Sequence, residues 1–399
     1  MFLFARIPRT PWLRRGSAVA VVSTVALLAA ACGSSSSATT STTVAHVTVT
    51  SFSVPGPYAA GTARLTMADG DPVQVWYPVD KSAVKGKPTY TYTLKSWVPA
   101  ALADNPLLSS LPNTVPTNSY LDAPIARDPA GSGDPTGRYP AVLFAHGYGS
   151  YPQQSTFLTD HLASWGFVVA APLEPANDLA TVLGGVKPAG LLTAGQALDE
   201  ALGFLRTQQT AKGSLFHGLL DLSRIGVVGH SLGGGAAITM ADNPAIKTYA
   251  ALAPGQGTPP STPKPGLVMY GSNDKVVPPA SVQATYATLP TPKRLIVIDT
   301  AGHNVFDDIC TIHSGNQRLV TILKAASGAQ GGLGTFATLG TDGCFPPDVD
   351  PTLAYPLINQ AVTAQLRDGL GIDPSGAGLG PAIDNAFPGV TAAYSADLG

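Results

Sequence analysis

From Tyr139 to Thr300 the chain keeps returning to one arrangement: an unbroken apolar run, a glycine or proline, then a stretch with helical spacing. The runs are AVLFA (141–145), FVVAAP (167–172), RIGVVGH (224–230), TYAALA (248–253), GLVMYG (266–271) and RLIVID (294–299). A strand with no polar alternation has to be covered on both faces. Between the runs, STFLTDHLASWG (155–166) and TAGQALDEALGFLRTQQ (193–209) carry apolar residues at helical spacing. Strands alternating with helices predict a mostly parallel central sheet with helices on both faces, an α/β architecture.

The flanks read differently. Residues 47–79 predict β structure: VTVTSFSV alternates, and ARLTMADGDPVQVWYPV predicts two strands joined at Asp69-Gly70. Residues 80–138 form a long irregular excursion, with one short helix expected near Trp97–Leu102. LAYPLINQAVTAQLRDGL (353–370) predicts a closing helix. The folded domain is expected over 46–375, with 376–399 as a C-terminal tail.

Residues 1–31 read as an export signal rather than as fold. Arg6, Arg9, Arg14 and Arg15 precede an apolar stretch, Ala18–Ala31, that is shorter than the roughly 20 residues of a membrane span. Leu28-Ala29-Ala30-Ala31-Cys32 resembles a bacterial lipobox, which would leave Cys32 lipidated; Ala29-x-Ala31 equally fits an ordinary cleavage site. GSSSSATTSTT (33–43), within a linker over 32–45, is too polar to build a core and suits a tether. The expected location is secreted or on the outer face of the bacterial cell membrane. With Cys32 lipidated or removed, Cys310 and Cys344 remain to form a disulfide in an oxidising compartment. Net charge is −2, so nucleic acid is not expected as a partner. The membrane is expected to be met only through the N-terminal anchor.

Chemistry concentrates in VGHSLGGG. Ser231 stands in Gly229-His230-Ser231-Leu232-Gly233, a Gly-x-Ser-x-Gly placed between a predicted strand and a predicted helix. That is the nucleophile elbow, where small residues clear a crowded turn. A serine hydroxyl needs a base to take its proton. Among the histidines, His46, His161, His217 and His313 stand in no motif; His313 is read as starting a helix. His230 lies inside the elbow with its ring directed away from Ser231. His303, on a short loop after an apolar strand, is the expected base. Asp274, after GLVMYG, completes the chain order serine, acid, histidine. Glu174, Asp299, Asp307 and Asp308 are the other carboxylates near strand ends or near His303. The oxyanion donors are expected to be the amides of Leu232 and of Tyr148 in His146-Gly147-Tyr148-Gly149, with the Tyr148 ring flanking the substrate.

The stretch YPAVLFAHGYGSYPQQSTFLTDHLASWGFVVAAPLEP, with VQVWYP upstream, resembles the α/β-hydrolase superfamily. The similarity is to the branch of bacterial platelet-activating-factor acetylhydrolase-like, dienelactone hydrolase-like and cutinase-like polyester hydrolases. It implies a cofactor-free, metal-free serine esterase acting on small-molecule, lipid or polymeric esters, expected as a monomer. Two positions depart from the polyester hydrolases: Leu232 stands where they have Met, and Gly255 where a Trp follows Ala-Pro. GQGTPPSTPKP (255–265) is too short and proline-rich for a cap domain, so the site is expected open unless 80–138 or 311–350 covers it. The extension after Cys310 has no assigned role. Two alternatives stand beside ester hydrolysis: an envelope acyltransferase using the same acyl-enzyme, and a non-catalytic binding protein on a hydrolase scaffold.

Overall fold

The computed structural model describes residues 47–100, 104, 111–112, 114–128, 137–184, 189–326, 332–373 and 376–399. All belong to one unit, His46–Gly399. The export signal, the linker, Cys32 and His46 lie outside the described residues.

A ten-stranded sheet organises the chain. Its strands are β1 (Ala59–Thr66), β2 (Pro72–Val79), β3 (Ser119–Leu121), β4 (Tyr139–Ala145), β5 (Val168–Pro172), β6 (Leu220–His230), β7 (Ile246–Leu252), β8 (Gly266–Gly271), β9 (Lys293–Ile298) and β10 (Ala392–Asp397). Their spatial order is β10-β9-β8-β7-β6-β4-β5-β2-β1-β3. The predicted apolar runs supply β4 to β9, and these pair with one another in parallel. β1 and β2 form the expected antiparallel hairpin. Gly70 takes φ 95° at its turn, a conformation that suits glycine.

The helices are α1 (Thr156–Ser164), α2 (Leu179–Gly184), α3 (Ala194–Thr210), α4 (Leu232–Met240), α5 (Pro279–Thr288), α6 (Leu319–Ala326), α7 (Gly332–Leu339) and α8 (Pro351–Gly369). Side chains alternate across a strand, so Leu143 and Phe144 of β4 enter different cores. On one face Leu143, Val227 and Val268 pack with Leu198, Leu202 and Leu205 of α3 and Ile238 of α4. On the other, Phe144, Val228 and Met269 pack with Leu158 and Leu162 of α1 and with Leu357, Ile358 and Val362 of α8. The Thr193–Gln196 capping box starts α3, and Asp350 caps α8 through the Thr352 amide.

Three expectations are corrected. VTVTSFSV forms turns, not a strand. Its hydroxyls bond the local backbone, as where Thr48 N donates to Ser51 Oγ at 2.8 Å and Ser53 Oγ to Thr50 O at 2.8 Å; such bonds compete with a ladder. His313 sits in a two-residue pairing with Arg318, and helix begins only at Leu319. Residues 376–399 are not a tail beyond the domain, because β10 pairs antiparallel with β9 from Lys293↔Asp397 to Ile298↔Ala392 and closes that edge. Near Trp97, the short helix is a 3-10 turn, Leu94–Trp97.

α8 is tied to the sheet by a buried ion pair. Arg294 of β9 donates to Asp368 at 2.6 Å and to Gln365 at 2.8 Å, and its side chain is 4% exposed. Removing one partner of a buried pair strands the other charge. Asp368→Ala is therefore expected to lower stability by about 3–5 kcal/mol. Urea denaturation checks this, and a loss indistinguishable from that of an exposed substitution would contradict it.

Candidate active site

β6 ends at His230 and α4 begins at Leu232, leaving Ser231 alone at the junction with φ 57° and ψ −120°. This left-handed backbone is unfavourable for an L side chain. It is held from both sides: Ser231 N donates to Leu252 O at 2.8 Å, and Ser231 O accepts from Gly255 N at 2.8 Å. A Cβ on Gly229 would collide with the Gly233 carbonyl, and one on Gly233 with the Ala145 and His146 carbonyls. The elbow glycines are thus required by close backbone approach.

His303 follows β9 after a short turn. Its Nδ1 lies 2.8 Å from Asp274 Oδ2, and the Asp274 side chain is fully buried. Asp274 Oδ1 accepts from Val276 N and Val277 N, each at 2.8 Å. Burying a carboxylate is tolerable here because both oxygens have donors. The Nδ1–H directed at Asp274 leaves Nε2 as the ring's basic nitrogen. His303 and Ser231 line one cleft of about 200 Å³.

The other carboxylates hold other posts. Asp308 accepts from the Thr156 and Phe157 amides and so caps α1 from a distance. Asp307 accepts from Ile309 N at 3.0 Å and also lines the cleft shared by Ser231 and His303; Asp299 accepts from Thr300 N at 2.9 Å. Among the described residues neither oxygen of Glu174 has a hydrogen-bond partner, and burial pushes its carboxyl well above the ordinary range.

In the Gly147–Ser150 loop, most amides are engaged. Gly147 N donates to Gln154 Oε1 at 2.5 Å, Gly149 N to Asn177 O at 2.7 Å and Ser150 N to Gly147 O at 3.2 Å. Among the described residues, the Tyr148 amide is the loop donor left without a protein acceptor. Leu232, as the first residue of α4, likewise has an amide with no intrahelical acceptor. Tyr148 is 45% exposed and stands at the cleft.

Two residues around this loop were not singled out from sequence. Gln154 accepts from Gly147 N and donates Nε2–H to His230 Nδ1 at 2.5 Å; His230 Nε2 then reaches His303 O at 3.2 Å. His146 bonds Gly147 O through Nδ1 at 2.9 Å and accepts from Glu174 N at 3.3 Å. Burial lowers the pKa of His146 to about 4 and pushes that of His230 well below its usual value. His230 also packs against the His303 ring, centroids 4.6 Å apart. Only the amide and imidazole types in sequence hinted at such roles, and no spacing rule connects them.

The cleft is partly covered. Leu339 and Gly340 line it; they belong to the loop closed by the Cys310–Cys344 disulfide, whose cysteines are 34 residues apart. Closing a loop of that size is worth about 3–4 kcal/mol in a chain-entropy account. None of the described residues of the excursion over 80–138 lines the cleft. Residues 253–265 carry no helix or strand, as expected for a chain without a cap. Gly255 adjoins the elbow: a Cβ there would lie 3.7 Å from Leu232 Cα. Two larger clefts, of about 850 and 790 Å³, contain none of Ser231, Asp274 or His303. Among the described residues no group of three or more His, Cys, Asp or Glu could hold a metal ion.

Comparison with known proteins places this geometry in context. Residues 127–320 match the family described as PETase, PET hydrolase-like. Over 173 residues, 42% of this chain, the sequence is 30% identical to the bis(hydroxyethyl) terephthalate hydrolase of Streptomyces coelicolor. That match spans 51% of the relative, so the chain covers about half of its length. A ferulic acid esterase from Streptomyces cinnamoneus is similar in structure, with a TM-score of 0.56 and 22% identity over 85% of this chain and 98% of that one. The fold is the α/β-hydrolase fold.

The Glu174 environment makes a prediction. Its folded pKa is raised above 4.5 by burial, so the folded state keeps a proton that the unfolded chain releases. Stability therefore falls as pH rises from about 4.5 toward the raised value. Glu174→Gln removes that loss, so its Tm advantage over the wild type should grow from pH 5 to pH 8. Parallel Tm-against-pH curves would contradict this.

Proposed function

We propose that the chain is a serine carboxylic ester hydrolase working through an acyl-enzyme. The observation that carries the reading is the His303–Asp274 bond, which directs the basic Nε2 away from the acid in the cleft shared with Ser231. In this reading Ser231 Oγ attacks the ester carbonyl while His303 Nε2 takes its proton. Asp274 keeps Nδ1 protonated and stabilises the imidazolium. The Tyr148 and Leu232 amides receive the oxyanion. His303 then protonates the leaving alcohol, and water, activated by the same ring, releases the acid.

The relatives support an ester as substrate, one being named for a terephthalate ester and one for ferulic acid. A cleft of about 200 Å³ suits a short acyl chain or a single ring better than a long lipid chain. In this reading the Tyr148 ring, at the cleft, flanks that group. Gly255 offers no opposing side chain, which favours a small soluble ester over a gripped polymer strand. Action outside the cytoplasm, on the membrane face or free, is part of this proposal.

Ser231→Ala is expected to lower kcat on p-nitrophenyl acetate by about 10⁴-fold or more and to abolish fluorophosphonate labelling. Labelling that persists in Ser231→Ala would remove Ser231 from the mechanism. Across p-nitrophenyl esters, kcat/KM for acetate and butyrate should exceed that for palmitate by about tenfold or more. Preference for palmitate would contradict the short-acyl assignment.

A further inference from the structure

We propose that Asp342 is a positioning residue that locks the acid loop and the base loop together. The inference rests on the Asp274–His303 reading above. Asp342 lies in the extension that had no assigned role, two positions before Cys344. Its side chain is 8% exposed. A single oxygen, Oδ2, accepts from His303 N at 2.8 Å and from Lys275 N at 3.2 Å. One carboxylate oxygen thereby joins the backbone of the base to the residue that follows the acid.

The surrounding contacts fix that carboxylate. Asp342 O accepts from Asn304 N at 3.2 Å and Asn304 Nδ2 at 2.9 Å. The Gly302 and Gly343 backbones press together so closely that a Cβ on either would collide with the other; Gly343 also has φ 81°. Further along, Asp348 accepts from Asn273 Nδ2 at 2.9 Å, and Val349 N donates to Thr300 O at 2.8 Å. The segment 342–349 thus crosses both loops. The disulfide to Cys310 anchors its near end.

The roots of the two loops are joined without this segment, for example by Asn273 N to Ala301 O at 2.8 Å. Nearer their tips, Asp342 supplies the link beside the reacting groups. Hydrogen bonds from backbone amides to a carboxylate are charge-assisted and stronger than neutral ones. The Lys275 ammonium, 3.9 Å from Asp342 Oδ1 and 73% exposed, adds little. Without the carboxylate, two amides lose their acceptor and the His303 ring loses a fixed backbone. A misplacement of about 1 Å costs on the order of 10²-fold in rate.

The test compares wild type, Asp342→Ala and Asp342→Asn as full chains. It reads kcat and KM on p-nitrophenyl acetate, the rate of fluorophosphonate labelling at Ser231, and Tm. Asp342→Ala should lose about 10²-fold in kcat per labelled site, with KM within about twofold and labelling slowed in parallel. Asp342→Asn, whose amide oxygen can accept both N–H groups, should recover most of the rate. A role confined to stability would lower Tm and leave the rate per labelled site unchanged. That result, or an Asn variant as impaired as Ala, overturns the inference. If Asp342→Ala does not fold, Asp342→Ser takes its place in the comparison. A wild type that neither hydrolyses nor labels overturns the triad reading itself, whereas an active wild type matched by Asp342→Ala overturns only the role of Asp342.

Discussion

Ser231 sits at φ 57°, a backbone state that costs on the order of 1–3 kcal/mol and persists only when its surroundings enforce it. Much of the domain enforces it. β6 delivers the chain into the turn, and β7 accepts the serine amide through Leu252 O. α4 can start at once because Gly233 passes against the Ala145 and His146 carbonyls at the end of β4. Those contacts require β4, β6 and β7 to be adjacent and parallel, as they are. Burial of the strands on both faces makes the arrangement rigid, so the strain is distributed over the central sheet rather than held by one bond.

The two segments with no obvious place in the fold meet above this core. Tyr92, Leu94, Trp97 and Val115 of the excursion pack with Ile312, Leu319 and Leu323 of the extension, and Tyr151 lies in the same apolar cluster. Trp97 stacks on Tyr151 with ring centroids 6.2 Å apart. Tyr151 closely follows the Gly147–Ser150 loop, and Gln154, which holds the Gly147 amide, comes three residues later. The described part of the excursion therefore supports the chain that follows the Gly147–Ser150 loop, while Leu339 and Gly340 of the extension line the cleft itself. Both segments act on the site through what they hold in place.

The strand runs and the strand–turn–helix around Ser231 were legible because each is a local pattern. Apolar continuity marks buried strands, and Gly-x-Ser-x-Gly marks a turn in which backbones nearly touch. The parts that escaped depend on contacts between distant positions. AAYSAD (392–397) carries no apolar run because an edge strand half open to solvent needs none, so it read as tail. Asp342 is one aspartate among many until the fold places its oxygen against the amides of residues 275 and 303. Gln154 likewise lies 76 positions from His230. VTVTSFSV misled in the opposite direction, since its alternation is genuine but its hydroxyls satisfy the backbone locally.

Three histidines gather within this site, and their hydrogen bonds separate their roles. His146 uses both nitrogens, one on Gly147 O and one on the Glu174 amide. His230 does the same between Gln154 and His303 O. A ring engaged at both nitrogens and kept neutral by burial orients its neighbours but has no lone pair to offer a substrate. His303 differs in both nitrogens: Nδ1–H donates to Asp274, and Nε2 has no protein partner among the described residues. The neutral state of the other two also matters for the reaction. An imidazolium at His303 would stand 4.6 Å from the His230 ring, and a charged neighbour at that distance would oppose its formation. A neutral His230 places no like charge beside that ring.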